Sequence, residues 1–176
     1  MKNFNTILKH SALNGAILGA ALLVFTLLTW VFEVNIFSFG FAAVSFVVVF
    51  GGEIFYTVWA EKKYRSSVGG VTDFGELFLY GVIMLLVAGL ISAIFSYILY
   101  NFIDTDYLSR QADHFGEMME NYITDEDILD QTMTKLNESL DKMHSFWRSL
   151  SGIWVGPLII SLILALIIKK DTTENQ

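Results

Sequence analysis

Between Glu76 and Asp104 the chain carries 27 residues, Leu77 to Ile103, without a single charge. A helix crosses a ~30 Å hydrocarbon core with about 20 apolar residues. At ~1.5 Å per residue this run reaches ~40 Å, so its outer turns are expected to tilt or to project into water. Gly81, Ala88, Gly89, Ser92, Ala93 and Ser96 give it a small-residue face on which another helix can pack closely. We read a membrane span over about 76–103, with the rest of the chain arranged around it.

Three more apolar stretches, about 12–32, 36–59 and 150–168, read as further spans. The chain is 54% hydrophobic and 16% charged, and its apolar residues come in blocks. That pattern predicts an all-α, polytopic membrane protein of four transmembrane helices, not a soluble core. The first stretch is longer than the apolar region of a signal peptide and ends in Trp30-Val31-Phe32, so it is expected to be retained. Gly15 and Gly19 form a GxxxG, whose spacing Ala12, Ala16 and Ala20 repeat; close packing inside the bundle and a dimer face are the two readings. Glu33-Val34-Asn35 is so short that the second span must return beside the first. Glu61-Lys62-Lys63-Tyr64-Arg65 reads as the end of that second span. Only twelve residues, ~18 Å of helix, separate Pro157 from Lys169. The last span is therefore expected to begin near Leu150 and to contain Pro157 as a kink, loosened by Gly152 and Gly156.

Charge divides the chain differently. From Asp104 to Leu150 there are eleven acids and four bases, which accounts for the whole net charge of −7. Within this segment Leu108, Ala112, Phe115, Met119 and Tyr122 recur at helical spacing. Leu129, Met133, Leu136, Leu140, Met143, Trp147 and Leu150 continue it over three heptads. The spacing predicts two helices, about 108–123 and 125–150, folded as a hairpin with coiled-coil character. Thr124 with Asp127 resembles a helix cap. The chain thus reads as one membrane domain, 1–176, with an acidic hairpin inserted at 104–150. Lys2 and Lys9, then Lys62, Lys63 and Arg65, then Lys169 and Lys170 lie in short segments on one side. The positive-inside rule puts both termini in the cytoplasm and the hairpin outside, in a multi-pass protein of the cytoplasmic (inner) membrane. An acidic chain gives no electrostatic case for nucleic acid.

Chemistry is sparse. There is no phosphate-binding loop, dinucleotide fingerprint, zinc motif or serine elbow, and no cysteine. In a hairpin turning near Thr124, His114 and His144 would stand ~15 Å apart, too far to share a metal. No catalytic, cofactor or metal site is assigned. Each span carries a hydroxyl near mid-depth, Thr26, Ser45, Ser92 and Ser161, expected to bond helix carbonyls or a helix contact. Glu53 reads as the one acid well inside a span. Burial penalises its ionised form, so it is expected to be protonated or hydrogen-bonded, with Asn14, Tyr56 or Thr57 as partner and Tyr80 nearby. Two functions follow. One is a non-enzymatic membrane protein whose hairpin mediates self-association or contact with a membrane-protein partner. The alternative is a small transporter or channel subunit working through Glu53.

One stretch also carries a resemblance. Tyr64-Arg65, Gly69-Gly70, Thr72, Phe74-Gly75, Phe78, Gly81, Tyr100 and Phe102-Ile103-Asp104 form a glycine-bearing turn, a Phe-Gly lead into the third span, and an aromatic-Ile-Asp exit. In these residues the chain resembles the bacterial membrane proteins of the domain of unknown function 4199 family. Thr105 departs from the pattern, where a proline is expected after the aspartate. The resemblance implies a small four-span protein and brings no activity with it.

Overall fold

The computed structural model describes residues 4–70, 72–123, 125–143 and 156–168, which form helices and their connections with no strand among them. We label the helices α1 (Phe4–Val31), α2 (Phe39–Ser67), α3 (Phe74–Ile103), α4 (Tyr107–Glu120), α5 (Glu126–Met143) and α6 (Gly156–Ile168). The first three are long and apolar enough to cross a membrane. Their outward faces carry large apolar side chains such as Leu13, Ile17, Phe39 and Phe55, and α6 does the same with Leu158, Ile159, Leu162 and Ile163. Such faces require lipid around them, so the protein is membrane-embedded. Thr124, His144, Trp147, Leu150, Gly152, the Lys169-Lys170 pair and Lys2, all used in the sequence reading, lie outside the described residues.

The closest packing joins α1 to α3. A Cβ on Gly15 would collide with the Met84 carbonyl oxygen and stand 2.9 Å from Val87 Cβ. One on Gly19 would stand 3.0 Å from Ile91 Cβ and 3.2 Å from Ala88 Cα. The GxxxG is therefore used inside the chain, where it lets two backbones approach. Ile7 and Leu18 of α1, Ala60 and Tyr64 of α2, Tyr80, Met84, Leu85 and Ala88 of α3, and Ile160 and Leu164 of α6 share one buried cluster.

Helix α2 differs from the sequence reading at both ends. Ser38 caps it, its hydroxyl accepting from the Phe41 amide at 3.2 Å. It passes through a π-helical turn at Phe46–Phe50, where three β-branched valines precede Gly51-Gly52. It then continues two turns past Trp59 to Ser67. These last turns are two-faced: Thr57, Ala60, Glu61 and Tyr64 are buried, while Lys62 and Lys63 are exposed. Hydropathy ends at the lysines, but packing does not. Gly69 and Gly70, at φ +94° and +83°, terminate the helix in the left-handed region that glycine occupies without strain. Arg65 Nε closes the turn on the Gly70 carbonyl at 2.8 Å.

Helix α3 ends in a second π-helical turn at Leu99–Ile103, closed by the Asp104 amide on the Leu99 carbonyl at 2.8 Å. Helices α4 and α5 pack against each other and against the bundle end. Tyr107, Leu108, Ala112 and Leu140 form the buried cluster, flanked by Trp30, Ile36, Phe37, Tyr100 and Leu136. The cap of α5 is Asp125, whose Oδ1 accepts from the Asp127 amide at 3.0 Å and the Ile128 amide at 3.3 Å.

Candidate functional site

Polar side chains collect at two places along α3. The first lies where α1, α2, α3 and α6 meet. Asn14 Nδ2 donates to the Tyr80 hydroxyl at 2.9 Å and to the His10 carbonyl at 2.8 Å, while Tyr56 Oη donates to Asn14 Oδ1 at 3.0 Å. Tyr80 is fully buried and stacks on Tyr64 at 4.8 Å, and the His10 ring stands 5.9 Å beyond Tyr64. Thr57 Oγ1 donates to the main-chain carbonyl of Glu53 at 2.7 Å. The predicted residues Asn14, Tyr56 and Tyr80 thus form one hydrogen-bonded group, but not around Glu53. Helix α2 stands off from α1 there, and Glu53 lines a cleft of about 240 Å³ with Ile17, Leu18 and Phe25. It also borders a cleft of about 260 Å³ toward Leu85, Gly89 and Pro157.

The acid at the centre is Glu61. It is 0% exposed, and neither carboxyl oxygen has a hydrogen-bond partner among the described residues. Opposite it on α6, Ser161 is also 0% exposed, its hydroxyl without a hydrogen-bond partner among the described residues. Gly81 of α3 leaves room for both. The point where its Cβ would stand is 2.7 Å from Glu61 Oε1 and 2.8 Å from Ser161 Oγ. The sequence reading placed Glu61 in a basic terminus because Lys62 and Lys63 follow it. The signal that would have found it is the stripe Glu53, Thr57, Glu61, Tyr64, which keeps helical spacing through the lysines. Ser161 was expected to bond a carbonyl or a helix contact. Thr26 does, donating to the Leu22 carbonyl at 3.1 Å, but Ser161 and Ser45 have no partner among the described residues.

The second place is Asp104, at the other end of α3. Its Oδ1 accepts from Arg110 Nη1 at 2.9 Å, and its Oδ2 from Arg110 Nη2 at 2.7 Å and from Trp30 Nε1 at 2.9 Å. One carboxylate thus ties the ends of α1 and α3 to the first turn of α4. The Arg110 guanidinium, and after it the Trp30 indole, hold the Asp104 carboxyl below the usual carboxylate range. Alongside, Gln111 Oε1 accepts from the Ile36 amide at 3.2 Å, and the rings of Tyr100 and Tyr107 stack at 6.0 Å.

The residues that carried the resemblance divide between these places. Tyr64 and Gly81 border Glu61, and Arg65 and Gly70 close the turn that ends α2. Phe74 and Phe78 stack at 6.1 Å beside the cluster of Leu77, Ala165 and Ile168. A Cβ on Gly75 would meet open space, and Phe102 and Ile103 face outward beside Asp104. No curated protein and no solved structure matches the chain. The family described as protein of unknown function (DUF4199) matches residues 13–170, and the chain belongs to that family.

Proposed function

We propose that this is a non-enzymatic, four-span protein of the cytoplasmic membrane, with both termini in the cytoplasm and an outer acidic hairpin, α4 and α5, that contacts another membrane protein. The basic residues of the short segments support the orientation. The observation that carries the function is the use of the hairpin seam within one chain. Leu136 and Leu140 lie against Tyr107, Leu108 and Ala112, and Gly116 makes room for Met133. With the apolar seam occupied, Asp113, Glu117, Glu120, Asp127 and Asp130 are left on the exposed surface. Two such surfaces repel, which favours a different partner over a second copy. Anchoring through Asp104 fixes the orientation of that surface on the bundle.

The test is affinity purification of the full chain from its native membrane, beside a variant carrying Asp113→Lys, Glu117→Lys and Glu120→Lys. A co-purifying protein that the variant loses supports the reading. Two copies cross-linked through cysteines placed at Leu136 would replace it with self-association. The transporter reading keeps one support, the position of Glu53 between two clefts; flux in vesicles that Glu53→Gln abolishes would favour it.

A further inference from the structure

A bare carboxylate in a helix bundle is costly to leave without a proton, a counter-charge or hydrogen bonds. Glu61 has no counter-charge or hydrogen bond among the described residues, although polar groups surround it. Tyr80 faces it from α3 and Ser161 from α6. Tyr64 lies one turn along its own helix, flanked by His10 of α1 and by Glu76 of α3. Among the described residues no basic side chain pairs with Glu61, so that part of the chain brings a negative charge to this place and no positive one. Glu61 Oε1 and Ser161 Oγ lie close to one point, yet they make no hydrogen bond to each other. Both oxygens come this close to the α3 backbone only because residue 81 is glycine.

We propose that Glu61 and Ser161 bind a single monovalent cation, a proton or a sodium ion, where Gly81 lets their oxygens converge between α2, α3 and α6. One carboxylate balances one positive charge; a divalent ion would leave an excess in the interior. The ligand set is all oxygen, which suits a hard cation and a proton equally. This site goes beyond the hairpin reading and stands whether the ion stays fixed or moves across the membrane.

The experiment is thermal unfolding of the full chain in detergent, with sodium titrated against choline at fixed pH and with pH varied in choline. An ion bound only by the folded protein raises the midpoint, by roughly 5–10 °C at a hundredfold excess over its Kd. A sodium site gives that rise in the wild type, and Glu61→Gln and Ser161→Ala both reduce it. A proton site gives no sodium response but a midpoint that rises as pH falls, lost in Glu61→Gln and kept in Ser161→Ala. Wild type and Glu61→Gln responding identically to both sodium and pH would overturn the proposal.

Discussion

Asp104 and Glu61 are both carboxyl groups at helix junctions, separated by about 34 Å along α3 if Gly81 marks the second, and they are treated in opposite ways. Asp104 accepts three hydrogen bonds from Arg110 and Trp30, and its side chain is 18% exposed. Glu61 is fully buried and accepts none among the described residues. A carboxylate whose partners are all built into the fold acts as a joint. One enclosed without partners among the described residues is an arrangement that the proposed cation would complete.

The largest expected effect strikes both ends together, because both depend on the pairing of α1 with α3. Asn14 meets Tyr80 at one end, and Trp30 meets Asp104 at the other. Gly15→Val pushes a branched side chain into the Met84 carbonyl, which cannot move aside. We expect a loss on the order of 3 kcal/mol or more, seen as loss of most monodisperse protein on size exclusion. Gly40→Val, at a site with no neighbour within 4 Å, is the control. Retained folding of Gly15→Val would mean that the α1–α3 contact does not hold the two ends in register.

A smaller effect should be greatest at the outer end. Asp104→Asn leaves one acceptor for Trp30 but removes the paired charge that Arg110 binds with two nitrogens. Amide exchange in α4 should then speed up by about tenfold, and the α1–α3 amides by clearly less. Uniform acceleration throughout the chain would show that Asp104 holds the whole bundle and not just α4.

Acid offers the same test without mutation. The Asp104 carboxyl sits below its ordinary value of about 4 when folded. Its contribution is therefore complete above that value and is lost as pH falls through the lower folded one. Exchange in α4 should rise below about pH 4 in the wild type and change little with acid in Asp104→Asn.

Much of this was legible in the sequence because lipid imposes simple rules. The uncharged run from Leu77, the GxxxG at Gly15 and Gly19, and the seam residues Leu108, Ala112, Leu136 and Leu140 each report a packing surface by spacing alone. Asn14, Tyr56 and Tyr80 were readable as one layer from their depth along three helices. Glu61 was not, since a hydropathy boundary averages over both faces of a helix. Lys62 and Lys63 hide an acid that faces the other way. The partners of Glu53 were misjudged for a related reason: depth placed Asn14 and Tyr56 near it but said nothing of the gap between α1 and α2. Asp104 was visible as a motif residue, yet its link to Trp30 spans 74 positions, which no local spacing reports.

The smallest expected change is the most direct test of the contrast. Asp104→Asn and Glu61→Gln make the same chemical substitution, an amide for a carboxyl, and their unfolding midpoints can be compared at neutral pH in one sodium-free detergent buffer. A carboxyl with all its partners in place should lose stability on this change, whereas one without partners should lose nothing or gain. We expect Asp104→Asn to melt several degrees below the wild type and Glu61→Gln to melt at or above it. A Glu61→Gln protein that melts as far below the wild type as Asp104→Asn does would contradict the account.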